Sequence, residues 1–135
     1  MADIMNFDLV SPERSLASFA ATEVQIPGSE GDMTVMINHA PILTTLRPGV
    51  LSVSSADGTS EYVITGGFAE VTAEGVTVIA ERAMVKSAVT QTDMDGIVSF
   101  AQVALDGSNE ATQDAAIKGH ADVVNLAAIL GLNSY

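Results

Sequence analysis

Hydrophobic and polar side chains alternate along most of residues 3–86, which is the pattern of β-strands that bury one face. Met5, Phe7 and Leu9 occupy every second position near the start, and the segment VTVIA (76–80) repeats the alternation near the end. Glycine-rich turns separate these segments at short intervals. The pattern predicts about eight to ten strands arranged as a β-sandwich, in the form of a flattened antiparallel barrel.

Two turns in this region carry dipeptides typical of tight hairpins. Asp57-Gly58 lies between two alternating segments, and Glu74-Gly75 lies between FAEV and VTVIA. Glycine adopts the positive φ angles that such turns need. Both dipeptides are therefore predicted to form the tips of two-residue hairpins.

After Lys86 the hydrophobic residues recur at spacings of three and four, which predicts helices. Thr92 is predicted as the N-cap of the first helix, because Asp93 and Asp95 would then lie in the first turn and complement the helix dipole. The segment DGSN (106–109) interrupts the pattern and separates this helix from a second one.

The second helix is predicted over residues 110–130, with Gly131 as its C-terminal cap. Together the helices form a hairpin of about 40 residues, which is too small to bury an independent core. We therefore predict an N-terminal β-sandwich domain over residues 1–87 and a C-terminal antiparallel two-helix hairpin over residues 88–135. The hairpin should need the sandwich or a partner for its stability.

The charge of the chain narrows its partners. Asp and Glu number 17 and Lys and Arg number 5, for a formal net charge of −12. This excess would repel nucleic acid, and the scattered bases offer no cluster for an anionic lipid surface. Apolar runs are far shorter than the ~20 residues of a bilayer-spanning helix, and the first residues show no export signal. We expect no nucleic-acid partner, and membrane association only through a protein complex.

Residues suited to catalysis or metal binding are few and dispersed. The chain has no cysteine, and its two histidines, His39 and His120, lie in different predicted segments. Glu30 and Asp32 stand close together in GSEGD (28–32), but two acids on a glycine-rich turn are more simply a solvated loop than a catalytic dyad. We therefore predict no catalytic residue, no bound metal and no cofactor. His39 is expected to pack, to hydrogen-bond or to face a partner.

Three segments, taken in order, resemble one known family. They are VQIPGSEGDMTVMINHAPILTTLRPGVLSV (24–53), GGFAEV (66–71) and VTVIAERA (76–83). In order and spacing they are similar to the epsilon subunit of bacterial F-type, proton-translocating ATP synthase. The resemblance implies a β-sandwich followed by a helical hairpin, in a non-catalytic subunit of the rotating central stalk that couples proton-driven rotation to ATP synthesis. It also implies a peripheral protein at the cytoplasmic face of the bacterial inner membrane, held there by the complex.

The resemblance further implies where the c-ring binds. The GSEGD turn matches the family segment that approaches the loops of the ring, so Ser29, Glu30, Gly31 and Asp32 are expected to contact the ring, with His39 nearby. Two carboxylates on a rigid turn would meet a basic side chain and favour register more than affinity. The same acids would equally suit a turn that they merely keep soluble.

Contact with the gamma subunit requires a stiff body and an apolar patch on one face. The candidate patch consists of residues around Leu43, Leu46, Phe68 and Val71. The resemblance also leaves room for contact between the helical hairpin and the alpha and beta subunits.

The helical hairpin departs from the pattern of the family. Many members begin the first helix with a D-L-D-E-A-R-A type of pattern, and some of them bind ATP there. Here the segment is DMDGIVS (93–99), with Val98 in place of the arginine and Ser99 in place of the alanine. Residues 88–135 contain six acids and one base, which disfavours docking against an acidic stretch of the beta subunit. We expect no ATP binding, and weak or absent inhibition of ATP hydrolysis.

Two other functions stay open at this point. One is a free ATP-sensing regulator that uses the helical hairpin as a clamp, which the missing arginine disfavours. The other is an unrelated β-sandwich enzyme or carbohydrate-binding module. This second function is disfavoured because sugars stack on aromatic rings, and the chain has two tyrosines, four phenylalanines and no tryptophan.

Overall fold

The computed structural model of the chain describes residues 4–134, and these divide into two units between Ser87 and Ala88. Residues 1–3 and 135, at the outer ends of the two predicted domains, lie outside the described residues. The first unit contains the strands and the second contains the two helices.

The first unit is a sandwich of two five-stranded sheets. The first sheet contains, in spatial order, β2 (Arg14–Ala21), β1 (Met5–Ser11), β9 (Gly75–Ala80), β8 (Gly67–Val71) and β5 (Ile42–Thr45). The second sheet contains, in spatial order, β10 (Ala83–Val85), β7 (Gly58–Ile64), β6 (Gly49–Ser55), β3 (Glu23–Gly28) and β4 (Gly31–Val35). The predicted β-sandwich is confirmed, and one strand pair, β1 with β9, is parallel.

The inward side chains of the two sheets form one hydrophobic core. Phe7 of β1 is fully buried, and its ring centroid lies 5.3 Å from that of Phe19 and 6.4 Å from that of Tyr62. Burying a side chain of this size stabilises the fold by about 1.5–3 kcal/mol. The core within residues 4–134 contains no buried polar residue, so apolar packing fills the space between the sheets.

The two hairpin tips lie one residue earlier than predicted. Residues 56–57 form the first tip, and Gly58 begins β7 with a φ angle of 124°. Residues 73–74 form the second tip, and Gly75 begins β9. A Cβ at Gly75 would lie 2.1 Å from the carbonyl oxygen of Asn6. The approach of β1, and not the turn, therefore requires glycine at that position.

The first helix, α1, spans Gln91–Asp106, and its N-cap is Thr90 where the sequence predicted Thr92. The Thr90 hydroxyl accepts the backbone N–H of Asp93 at 3.2 Å, and the Asp93 carboxylate accepts the backbone N–H of Thr90 at 2.9 Å. This reciprocal capping box satisfies two unpaired N–H groups, so the helix begins two residues earlier than predicted.

The second helix, α2, spans Gln113–Leu130 and begins three residues later than predicted. The Asn109 side-chain oxygen accepts the backbone N–H groups of Ala111 at 2.9 Å and Thr112 at 3.1 Å. Because this side chain closes a turn of its own, it delays the helix. Gly131 ends the helix in the left-handed conformation, as predicted.

The two helices pack on each other and are tied together at their open end. The Gln91 side chain accepts the backbone N–H of Asn133 at 2.9 Å and donates to the Asn133 carbonyl at 3.0 Å. The helical side chains that are buried are Met94, Ile97, Val123, Leu126 and Ala127. No helix in residues 4–134 combines the length and the apolar character that a bilayer span requires.

Candidate functional site

A narrow hairpin end, called here the tip (residues 28–32), joins β3 to β4. Ser29 and Glu30 form the turn itself, and Gly28 pairs with Gly31 across it. A Cβ on Gly28 would lie 2.6 Å from the carbonyl oxygen of Gly31, and Gly31 has a φ angle of 141°. The turn is therefore this tight because both flanking residues are glycine.

The tip is bonded to a second segment, called here the anchor (residues 45–47). The Ser29 backbone N–H donates to the Thr45 carbonyl at 2.9 Å, and the hydroxyl groups of Ser29 and Thr45 lie 2.6 Å apart. The Arg47 backbone N–H donates to the Pro27 carbonyl at 3.0 Å. The anchor thus adds backbone hydrogen bonds to the end of β3, in the second sheet, where the tip begins.

The Arg47 side chain adds two further contacts to the tip. One guanidinium nitrogen donates to the Gly28 carbonyl at 2.6 Å, and the other forms an ion pair with the Asp32 carboxylate. The Arg47 side chain is 24% exposed and that of Asp32 is 79% exposed. The carboxylate of Asp32 is therefore already engaged within the chain.

Glu30 differs from the other residues of the tip. Its side chain is exposed at the end of the turn, and the three ion pairs found within residues 4–134 do not include it. The structure brings Ser29, Glu30, Gly31 and Asp32 together as predicted for a single turn. Glu30 is the acid of this turn whose charge is available to a partner.

His39 lies away from the tip. It is the last residue of a turn at residues 36–39, in which Asn38 has a φ angle of 65°, beyond the opposite end of β4. The five residues of β4 separate the two turns by roughly 16 Å at ~3.3 Å per residue. The structure therefore does not bring His39 next to the tip.

The ring of His39 is half-buried and bonded locally. Its Nδ1 lies 2.7 Å from the Ala40 carbonyl oxygen, which only accepts, so Nδ1 carries the proton. Residues 4–134 contain no group of three or more His, Cys, Asp or Glu side chains suited to holding a metal ion.

An apolar row crosses the outer face of the first sheet. Phe68 of β8 stands opposite Ile79 of β9, and Ile79 stands beside Val10 of β1. Phe68 and Ile79 are each 40% exposed, and Leu43 on β5 is 65% exposed. We call Val10, Ile79 and Phe68 the apolar row, with Leu43 at its border.

Two of the four residues predicted for the gamma contact lie in the core instead. Leu46 is 7% exposed and Val71 is 1% exposed, and both belong to the buried cluster of the sandwich. Their side chains face the second sheet, so they support the surface from below. Leu43 and Phe68 are the members of the predicted patch that are accessible to a partner.

The hairpin carries a shallow concavity of about 340 Å³ beside the segment that differs from the family pattern. Its lining consists of Asp95, Val98, Ser99, Gln102, Val103 and Ser134. Asp95 is the charged residue in this lining, and it accepts a hydrogen bond from the Gln91 side chain at 2.8 Å. A carboxylate at this position repels a phosphate group.

Comparison with known proteins identifies the family. Residues 4–86 match the family model described as the β-sandwich domain of the ATP synthase delta/epsilon chain. The chain is 50% identical over 132 residues to the ATP synthase epsilon chain of Rhodobacter capsulatus, covering 98% of this chain and 100% of that relative. The chain belongs to the ATP synthase epsilon-chain family. It is also 60% identical over 102 residues to the epsilon chain of Ruegeria sp. strain TM1040, covering 76% of this chain and 74% of that relative.

Solved structures share the fold of this epsilon-family chain. A chain in the mitochondrial ATP synthase of Euglena gracilis, from a structure of OSCP, F1 and c-ring, aligns with a TM-score of 0.71 at 22% identity, covering 95% of this chain and 82% of that chain. A chain in the central stalk and c-ring structure from Tetrahymena thermophila aligns with a TM-score of 0.65 at 17% identity, covering 93% of this chain and 94% of that chain.

The structure of this epsilon-family chain adds residues that sequence reasoning missed. Ile79 occupies an outward position of VTVIA. An apolar residue at an outward position of a strand was the signal that could have placed Ile79 in the predicted patch. Thr45 and Arg47 gave no comparable signal, because their partners are Ser29 and Asp32, about 15 residues earlier in the chain.

Proposed function

We propose that this epsilon-family chain is a non-catalytic subunit of the central stalk of F-type ATP synthase. In this role it binds the gamma subunit and the c-ring and couples proton-driven rotation to ATP synthesis. The observation that carries the proposal is the 50% identity to the Rhodobacter capsulatus epsilon chain over that relative's full length. Such a subunit would act peripherally at the cytoplasmic face of the bacterial inner membrane, attached through the complex.

The tip is the proposed contact with the c-ring. Glu30 presents an exposed carboxylate at the end of a hairpin whose neighbouring residues are bonded to the anchor. A charge held in one position meets a basic side chain on a ring loop in a defined register. The remaining residues of the tip, Ser29, Gly31 and Asp32, shape the turn and complete the contact surface.

The apolar row is the proposed contact with the gamma subunit. Phe68 and Ile79 expose adjacent apolar side chains on two paired strands, and Leu43 enlarges the patch. Aromatic side chains in such a patch contribute strongly to binding. The sheet behind them is backed by a continuous core, so the surface keeps its shape when rotation loads it.

The helical hairpin is proposed to be a weak inhibitor of ATP hydrolysis or none. Its six acids and one base would repel an acidic surface of the beta subunit, so any contact with the alpha and beta subunits would be weak. The lack of a basic side chain at Val98, beside the Asp95 carboxylate, likewise disfavours ATP binding in the hairpin concavity.

The test of the proposed function is co-purification. A tagged form of this chain, expressed in its native host, should purify from solubilised membranes together with the gamma subunit and a c-ring in a complex that hydrolyses ATP. A control preparation in which Phe68 and Ile79 are both replaced by Asp should lose the gamma subunit. Recovery of the tagged chain alone, in mild detergent and at low salt, would rule the proposal out.

A further inference from the structure

The tip extends beyond the part of the second sheet that supports β3. Residues 23–25 of β3 pair with β6, but residues 26–28 lie past the end of that ladder. On its other side β3 pairs with β4, which is the edge strand of the sheet. A two-stranded ribbon of this kind is marginally stable by itself, so whatever else bonds to the tip determines how firmly it is held.

The anchor supplies that missing support. Its backbone bonds to Ser29 in the tip and to Pro27 just before the tip, and an isolated bridge joins Leu46 to Gly28. Arg47 adds the bond to the Gly28 carbonyl and the ion pair with Asp32. The Arg47 guanidinium therefore faces the Asp32 carboxylate. Asp32 follows Gly31 directly and lies two residues after Glu30.

The anchor also bonds to the strand that carries the apolar row. Thr45 pairs with Phe68 across β5 and β8, and the Leu46 backbone N–H donates to the Gly67 carbonyl at 3.0 Å. The anchor is therefore bonded to the tip on one side and to the apolar row on the other. A displacement of the tip passes to the first sheet through three consecutive residues.

We infer that the anchor transmits load between the tip and the apolar row, and that Arg47 is the positioning residue that holds Glu30 at the end of the tip. This inference rests on the proposed function, because the load is the torque between the c-ring and the gamma subunit. Arg47 acts through Gly28 and Asp32 and not by touching the ring. Its role is local stiffness, which a partly exposed ion pair provides without adding much to global stability.

The first test uses the full-length chain alone and measures amide hydrogen exchange. In Arg47→Gln, exchange at the Ser29 amide should become about five to ten times faster, as expected for the loss of charge-assisted hydrogen bonds. Exchange at the Tyr62 amide in the core should stay unchanged, which also checks that the variant folds. The matched control is Lys86→Gln, which removes the Lys86–Glu61 ion pair, 3.5 Å long, elsewhere on the sandwich.

Three further variants, Asp32→Asn, its combination with Arg47→Gln, and Arg47→Lys, separate positioning from charge. Asp32→Asn removes the ion pair but keeps the bond from Arg47 to Gly28, so it should accelerate exchange at Ser29 less than Arg47→Gln does. The double variant should be no faster than Arg47→Gln alone, because the two residues act as one unit. Arg47→Lys keeps the charge and should restore part of the protection.

The second test measures coupling in the assembled complex, as protons pumped per ATP hydrolysed in membrane vesicles. This ratio should fall below the wild-type value in Arg47→Gln, because part of the ATP would then be hydrolysed without driving the ring. The Lys86→Gln complex should match the wild type.

The outcomes distinguish this inference from the proposed function. If the wild-type chain does not assemble with gamma and a c-ring, the proposed function fails whatever Arg47 does. If the wild type assembles and Arg47→Gln leaves both exchange at Ser29 and the pumping ratio unchanged, the inference about the anchor is overturned alone. Faster exchange with an unchanged pumping ratio would equally overturn it, because a loosened tip would then transmit torque normally.

Discussion

The sandwich and the helical hairpin use their hydrophobic residues in opposite ways. In the sandwich, both sheets turn alternate side chains into one continuous buried cluster. In the hairpin, five side chains are buried, while Phe100, Val103, Ile117 and Ile129 are each at least half exposed. Two helices alone cannot enclose an interior, whereas two sheets can. The hairpin therefore leaves a larger share of its hydrophobic side chains exposed than the sandwich does.

The two regions also differ in how their ends are held. The tip of the sandwich is fixed by the anchor at several points, including two contacts from one arginine. The open end of the hairpin is held by one glutamine that bonds to the backbone of Asn133. The proposed torque transfer would require the first kind of construction, because a loose end would absorb rotation instead of passing it on.

The same substitution in the two regions should have very different effects on folding. Phe7→Ala should lower the free energy of unfolding by about 3–5 kcal/mol, since Phe7 is fully buried and leaves a cavity. Phe100→Ala should change it by less than about 0.5 kcal/mol, since Phe100 is 70% exposed. Urea denaturation followed by circular dichroism measures both. Equal losses in the two variants would contradict the contrast.

Binding to the gamma subunit should depend on the sandwich and not on the hairpin. Phe68→Gln should weaken that binding by at least about fivefold, because an aromatic side chain at the centre of an interface is worth more than about 1 kcal/mol. Phe100→Gln, a matched change of an exposed phenylalanine in α1, should leave the affinity as it is. Isothermal titration of the purified chains with gamma gives both values, and the reverse ranking would move the interface to the hairpin.

The start of the hairpin should depend on one threonine. Thr90→Ala removes the capping box and should destabilise α1 by about 1 kcal/mol. Thr92 is the N-cap that the sequence predicted. Thr92→Ala should change stability by less than about 0.5 kcal/mol because the Thr92 side chain is exposed. Amide hydrogen exchange along residues 91–97 measures the effect. A larger effect at Thr92 would restore the N-cap that the sequence predicted.

Removal of the hairpin should have little effect on the rate at which the complex hydrolyses ATP. A complex rebuilt with a chain that ends near residue 88 should hydrolyse ATP at a rate within about twofold of the full-length complex, since we expect the acidic hairpin to dock weakly. The comparison requires the two complexes at equal subunit composition. Strong activation on truncation would mean that the hairpin inhibits despite its charge.

The sequence predicted the parts of the fold that depend on local spacing. Period-two alternation identified Phe7 and Leu9 as inward residues of a strand, and both are fully buried. Residues that share a face of a strand are two apart whatever the strand packs against, so such a pattern can be recognised from the sequence alone. The positions of turns and caps were less accurate, because Thr90 and Thr92 compete for one role and a hydrogen bond decides between them.

The sequence by itself therefore determined a β-sandwich followed by a helical hairpin, and a turn at residues 28–32 rich in glycine and acid. Tertiary structure alone decided that Leu43 and Phe68 are exposed while Leu46 and Val71 are buried. It also decided that Arg47 reaches Asp32, so that one of the two predicted acids is paired within the chain. The physical reason is the same in each case: the covering of a face and the meeting of distant side chains depend on how separate strands align, and local spacing does not specify that alignment.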